Sequence, residues 1–375
     1  MNKNLSLYVH IPFCIRKCFY CDFPSFGGME NYYQDYIKCL CREIEDMSAD
    51  FSDRTVNTVF FGGGTPSVLP ARLLGKVIDT IITKYNVANN AEISIETNPG
   101  TLNAKNLSEM NSMYFNRLSI GLQAWQDRLL EKLGRIHTAK EFEKNFCQAR
   151  DAGFKNINVD IMFSLPEQSF DNWQETIENV VRLKPEHISS YSLIIEEGTP
   201  FYDMNERGLI KEADEELDRK MYYLANEMLA DKGYGRYEIS NYARKGFECR
   251  HNIVYWRTEE YKGFGLGAHS YIDKIRYHNT YDFEEYLNGN GYMKEKELLT
   301  DFEMYEEFMF MGLRMTEGVS ETIFKARFNK DIYDIYGDEI RELIDAKLLS
   351  SKNGRLYLTG RGIDVSNQVF ERFIR

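Results

Sequence analysis

Apolar and polar residues alternate over residues 5–11, the pattern of a strand with two unlike faces. Five further short apolar runs read as strands: 55–61, 91–96, 116–123, 156–163 and 188–195. Between them the apolar spacing becomes helical, over 31–47, 70–85, 139–152 and 170–183. Strands alternating with helices predict a parallel sheet of right-handed βαβ units. The expected fold class is therefore α/β, with a partial (β/α)6 barrel over residues 1–232. Gly62 to Pro66, Glu96, Gln123 and Asp160 fall at the C-terminal ends of predicted strands. In barrels that rim carries the active site.

The pattern changes after about residue 232. Residues 234–242 and 263–277 read as strands and loops rich in tyrosine and glycine. Residues 301–315, 320–328 and 337–346 read as helices. Residues 349–358 predict a short hairpin with Asn353-Gly354 as its turn. The expected organisation is an extension over 233–300 and a winged-helix-like α+β module over 301–375. That module type is associated with DNA, but a fold alone carries no function. The chain has 46 basic and 58 acidic residues, a net charge of −12. Such a balance argues against a nucleic-acid partner, which calls for a positive footprint. Packing or partner contact is the expected role.

Hydrophobic residues make up 43% and charged residues 28% of the 375, a globular composition. No apolar run approaches the ~20 residues of a membrane helix. No secretory pattern opens the sequence, so a cytoplasmic protein is expected. The seven cysteines are an odd number, and free thiols are expected in a reducing compartment.

Cys14, Cys18 and Cys21 form a C-x3-C-x2-C run directly after the first predicted strand. Three thiolates hold three irons of a [4Fe–4S] cube, one each. The fourth iron then lacks a protein ligand, and an open metal position is where a small molecule coordinates. The alternative is a zinc site closed by His10 or Cys249, although the spacing is poor for zinc. Cys39, Cys41, Cys147 and Cys249 read as buried or incidental thiols. Gly62, Gly63 and Gly64 let the backbone approach a ligand. Taken alone they make an ordinary turn, and a lone Glu or Asp at a strand end is an ordinary cap.

Together these residues resemble the radical S-adenosylmethionine (SAM) superfamily, and within it the coproporphyrinogen dehydrogenase/HemW group. The resemblance spans nearly the whole chain, through His10-Ile11-Pro12-Phe13-Cys14, Gly62 to Pro66, Ser94-Ile95-Glu96, Gly121-Leu122-Gln123, Leu133 to His137, and Asp160 to Pro166. It implies that Cys14, Cys18 and Cys21 bind the cluster. It implies SAM contacts from Tyr8, Gly63, Gly64, Thr65, Glu96, Gln123, Arg135 and Asp160. Ser164 departs from the glycine usual before Leu165-Pro166.

Two branches of that group compete. The dehydrogenase carries a further cysteine in a C-x-C arrangement, whereas Asp22 and Phe23 follow Cys21 here. It also has an N-terminal extension, and here the first strand begins near Leu5. Arg250-His251-Asn252-Ile253-Val254-Tyr255-Trp256 matches the HNxxYW motif of the HemW branch, and Tyr237 to Tyr242 is also similar to it. An isolated His near aromatics is ordinarily a satisfied core residue. The resemblance instead implies that His251 is an axial heme ligand, beside flat surface from Tyr255 and Trp256. Cys249 is a weaker alternative, and His10, His137, His187, His269 and His278 have no comparable context. The expected function is a heme chaperone that binds a [4Fe–4S] cluster, SAM and heme and passes heme to acceptor proteins, membrane-bound respiratory enzymes among the candidates. No catalytic residue is assigned, and a homodimer is left open. The alternative is a radical SAM enzyme acting on a porphyrin, by coproporphyrinogen oxidation or by heme ring-opening through methyl transfer.

Overall fold

The computed structural model describes residues 3–375. Six parallel strands form its centre: β1 (Lys3–Ile11), β2 (Arg54–Gly63), β3 (Val87–Thr97), β4 (Arg117–Gln123), β5 (Ile157–Phe163) and β6 (His187–Ser192). They lie in sequence order, as right-handed crossovers through helices require. The outer strand faces, for example Leu7, Val9 and Ile11 of β1 and Val59 and Phe61 of β2, are fully buried. The apolar faces of helices Tyr33–Met47, Ala71–Lys84 and Phe170–Leu183 join the same core. Helix starts are set locally: Thr138 with Glu141, and Ser169 with Asn172, form capping boxes.

The sheet continues beyond both ends of this series. On one side β9 (Tyr261–Phe264) pairs parallel to β1, followed by antiparallel β10 (His269–Ile272), β11 (Ile275–His278) and β12 (Lys294–Leu298). On the other, β8 (Asn241–Ala243) pairs antiparallel to β6, and β7 (Gly235–Arg236) pairs with β8. Residues 233–300 thus supply both edges of one twelve-stranded sheet. β1 and β6 are not paired, so the barrel stays open. The last strand, expected to run to 195, ends at Ser192, and Leu193 to Ile195 line a cleft beside it.

Residues 305–373 close a hydrophobic core of their own around Phe308, Phe324, Tyr336, Leu356 and Phe373. Helices Glu321–Phe328 and Ile332–Asp345 lie in the chain between β13 (Val319–Ser320) and the hairpin of β14 (Leu349–Lys352) and β15 (Arg355–Leu358), and the three strands form one sheet. The second of these helices begins five residues before the sequence pattern suggests. Tyr336 interrupts it with non-helical φ −124°, ψ 21°, which breaks the apolar periodicity before Gly337. Among the described residues no helix is long and apolar enough to cross a membrane.

Candidate functional site

Inward-facing side chains of the six central strands are mostly polar, with Phe60 stacked on His251 among the exceptions, an unusual filling for a barrel whose layers are ordinarily branched aliphatics. Two groups of them occupy opposite ends. At the C-terminal rim, Cys14 stands just past β1, and its Sγ lies 3.5 Å from the Thr65 hydroxyl that follows β2. The loop through Cys18 and Cys21 is pinned by its backbone. Phe19 N–H donates to the Leu133 carbonyl (3.0 Å), Phe201 N–H to the Phe19 carbonyl (2.9 Å), and Phe26 N–H to the Pro12 carbonyl (2.7 Å). Arg16 ties the same loop to the Gly134 and Arg135 carbonyls.

Arg135 is the rim's fixed cation. It is buried, donates to the Gly121 carbonyl at 2.6 Å, and points Nη1 at Cys18 Sγ at 3.5 Å. Its Nε has no partner, an orphan donor next to the cysteines. Gln123 sits at φ +75° at the end of β4 and accepts a 3.0 Å bond from Tyr191. Asp160 is held by Ser119 (3.2 Å) and Asn158 (2.7 Å). The backbone of Gly63 runs at φ +108°, and a Cβ there would lie 2.5 Å from the His10 ring. A Cβ on Gly64 would lie 2.6 Å from the Phe13 carbonyl. Only glycine lets this strand end approach the cysteine loop so closely.

Electrostatics at the rim follow from burial. The Cys14 thiol is pushed up by burial, an effect that bonds from Thr65 and Ser25 offset in part, and Cys21 is pushed up to about 11. Glu96 is raised to about 8, first by burial and then by the nearby Asp160 charge. A carboxyl raised in this way stabilises the fold in its protonated form. That contribution is complete below the ordinary value of 4.5 and is lost as pH climbs toward about 8. Glu96→Gln is accordingly expected to flatten the fall in stability between those pH values. Urea unfolding at several pH values checks this, and an unchanged slope sinks it.

The chain's donors suit an iron–sulfur cube with SAM. All seven cysteines are free. Three of them share one loop, beside an unpartnered buried guanidinium nitrogen that suits an anion. A cube needs no shared ligand point, because each thiolate meets its own iron. The zinc alternative fares worse. His10 is buried with one ring nitrogen 3.0 Å from Tyr8 Oη and the other 2.9 Å from the Pro24 carbonyl. Cys249 lies at the other end of the barrel with its thiol raised to about 12 by burial. Among the described residues no three His, Cys, Asp or Glu side chains form a single-ion ligand set.

The opposite, N-terminal end of the barrel is plugged by the Arg250–Trp256 helix. Its first backbone N–H groups, of Arg250 (3.0 Å) and His251 (3.1 Å), donate to the Glu92 carboxylate on β3. His187 on β6 meets Tyr237 at 2.8 Å, and the Tyr237 hydroxyl accepts from Cys249 N–H at 3.3 Å. These bonds span the interior from β6 to β3. His251 is 1% exposed and engages both ring nitrogens, with Thr58 Oγ1 at 2.8 Å and Tyr255 Oη at 2.9 Å. Burial lowers its pKa to about 3. The ring is thus a neutral, doubly bonded part of the plug, and heme ligation by His251, which the HNxxYW run led one to expect, calls for one of these two bonds to open. Cys249, the weaker alternative, is wholly buried in the same plug.

Sequence reasoning missed several parts of this interior. Glu92 and Arg117 carry no motif, yet both are buried and face the plug. Arg117 keeps Nε and Nη1 unpartnered there. The period-two register with Glu96 (92, 94, 96) was the available signal for Glu92. Ser164 adopts φ +59°, the left-handed conformation that favours glycine, and its hydroxyl donates to Asp218 at 2.6 Å. Asp218 and Arg219 line a cleft of about 760 Å³ between β6 and the C-terminal module, with Tyr191, Leu193, Tyr222 and Ile363.

Comparison with known proteins agrees with this architecture. Residues 8–180 match the Radical SAM superfamily and residues 299–365 the HemN C-terminal domain. The chain is 36% identical to "Heme chaperone HemW" of Lactococcus lactis, covering 100% of this chain and 98% of the relative. It is 36% identical to "Heme chaperone HemW" of Bacillus subtilis, covering 98% and 99%. Its fold is that of the coproporphyrinogen III oxidase HemN of Escherichia coli (TM-score 0.86, 21% identity, covering 99% of this chain and 90% of that one).

Proposed function

Because the chain belongs to the family of the heme chaperone HemW, we propose that it binds heme and hands it to acceptor proteins. The carrying observation is end-to-end similarity to proteins of that name, at 36% identity with both chains covered almost completely. The proposal includes a [4Fe–4S] cluster on Cys14, Cys18 and Cys21. It includes SAM at the rim beside Tyr8, Gly63, Gly64, Thr65, Glu96, Gln123, Arg135 and Asp160. A reduced cluster with SAM supplies one-electron cleavage to a 5′-deoxyadenosyl radical. What the chain itself contributes is position. Gly63 and Gly64 bring the backbone to the thiol loop, the orphan Arg135 Nε offers a donor, and Glu96 and Gln123 offer hydrogen-bond acceptors. Glu96, raised to about 8 by burial, titrates near neutral pH. Seven free thiols fit a cytoplasmic location. Acceptors among membrane-bound respiratory enzymes, and a homodimer, belong to the same proposal.

The test is a heme titration of anaerobically reconstituted protein, followed by mixing with a heme-free acceptor such as an apo-cytochrome. Saturable binding near one heme per chain, followed by movement of the Soret band to the acceptor, is expected. The absence of saturable binding overturns the chaperone reading. Turnover of coproporphyrinogen III in the same preparation favours the porphyrin enzyme instead.

A further inference from the structure

Heme ligation by His251, the reading on which this inference rests, requires a ring nitrogen that carries a lone pair. A neutral imidazole has one donor nitrogen and one acceptor nitrogen. Thr58 on β2 settles which is which. Its hydroxyl donates its single hydrogen to Ser6 Oγ at 2.8 Å. Toward His251 Nδ1, 2.8 Å away, the same oxygen can therefore only accept, so Nδ1 carries the hydrogen. Nε2 carries the lone pair and accepts from Tyr255 Oη at 2.9 Å. Thr58 is thus the outer partner that a metal-bound histidine ordinarily has on its second nitrogen. The lone pair itself is covered by a phenol.

We propose that Tyr255 gates the heme ligand: its hydroxyl occupies the lone pair of His251 Nε2 until Tyr255 turns away and heme iron takes that place, while Thr58 holds the ring in the ligating tautomer. The two bonds differ in how easily they open. Thr58 is buried within the sheet, paired on one side with Ser6 and on the other with Glu92. Its branched side chain is stiff at χ1. Phe60, also on β2, stacks on the imidazole at 5.1 Å with 23° between the ring planes. The His251 N–H donates to Glu92 on β3 at 3.1 Å. These three contacts all come from the barrel wall. Tyr255 is instead half-buried and stands four residues on from His251 in the same short helix, where side chains so spaced are neighbours. Rotating its side chain frees Nε2 and leaves the helix, the Thr58 bond and the Phe60 stack in place. Tyr261 lies edge-on to Tyr255, centroids 4.7 Å apart, and adds aromatic surface on that side. No proton moves. Nδ1 and Tyr255 each keep their hydrogen, and an iron–nitrogen bond replaces an O–H···N hydrogen bond. Both Tyr255 and Thr58 act through His251 and are positioning residues.

The experiment titrates ferric heme into wild type, Tyr255→Phe, Thr58→Val, Thr58→Ser and His251→Ala. It records affinity, the Soret band and, after reduction, the iron–histidine stretch in the resonance Raman spectrum. Tyr255→Phe keeps the ring and loses the hydroxyl. It is expected to bind heme about twofold to tenfold more tightly, the worth of one neutral hydrogen bond, with the Soret band unmoved. A tyrosine that merely packed the plug, or that contacted heme, would give equal or weaker binding. Thr58→Val is expected to weaken binding about tenfold to 100-fold and to lower the iron–histidine stretch, and Thr58→Ser to restore both. In heme-free protein labelled with nitrogen-15 histidine, the His251 signal, identified by its loss in His251→Ala, is expected to show the hydrogen on Nδ1. Equal or weaker binding by Tyr255→Phe, an iron–histidine stretch unmoved in Thr58→Val, or hydrogen on Nε2 in the heme-free protein overturns the gate and leaves the chaperone reading standing. Wild-type spectrum and affinity in His251→Ala do the same, since heme then sits elsewhere. Failure of wild type to bind heme overturns both.

Discussion

Replacing Cys14, Cys18 or Cys21 singly by alanine is expected to abolish the broad visible absorbance of the anaerobically reconstituted protein while leaving its fold intact. Each thiolate ligates one iron, so one missing sulfur exposes a second iron of the cube to solvent and to loss. The fold is expected to survive because other groups hold the loop. The backbone bonds of Phe19, Phe26 and Phe201 remain, as do the Arg16 contacts with Gly134 and Arg135. None of these involves a cysteine side chain. Cys147→Ser is the matching control, since Cys147 is exposed on the helix Ala139–Asp151. It should retain full absorbance. Iron and sulfide content with visible absorbance gives the readout, and circular dichroism monitors the fold. Wild-type absorbance in any one of the three alanine variants, with matching iron content, defeats the ligand assignment.

The cysteine loop and the rim were legible because they are local. Spacing places three thiols on one turn, and strand ends are marked by glycine or by a polar residue after an apolar run. The six central strands follow from alternation over residues 5–11 and from five further short apolar runs, because each strand packs one face under helices. What was not legible is non-local. The HNxxYW run reads as a heme-ligand motif by resemblance. That it also closes the barrel emerges only from Thr58 on β2 and Glu92 on β3, brought to it by the sheet. Residues 261–264 extend the sheet as a parallel neighbour of β1, a pairing between segments far apart in the chain that leaves no local mark.

Glu43→Ala is expected to be among the most destabilising single substitutions in this protein. Glu43 lies on the helix Tyr33–Met47 with Tyr36, Leu40 and Ile44, fully buried although a carboxylate there reads as a surface charge. Its two oxygens accept from Gly265 N–H (3.0 Å), Asn279 Nδ2 (2.7 Å) and Tyr286 Oη (2.8 Å), and Lys262 Nζ stands 3.8 Å away, also fully buried. Burial raises the Glu43 pKa and lowers that of Lys262, while each partner offsets the shift of the other. Removing the carboxylate strands three donors and one buried ammonium, a class of change that costs about 3–5 kcal/mol. The double variant Glu43→Ala, Lys262→Met removes the stranded ammonium as well and should recover part of the loss, since apolar replacement of a whole buried pair is often close to neutral. The damage should also reach the functional end of the molecule. Tyr36 Oη donates to the His10 carbonyl (2.8 Å) and accepts from Leu266 N–H (3.0 Å), next to the Gly265 that Glu43 holds. His10 in turn contacts the Pro24 carbonyl at 2.9 Å, at the end of the cysteine loop. Chemical denaturation of the three proteins decides the matter. A Glu43→Ala loss below about 0.5 kcal/mol, the scatter of an ordinary surface substitution, would mean that water or a neighbouring group takes over every bond the carboxylate makes.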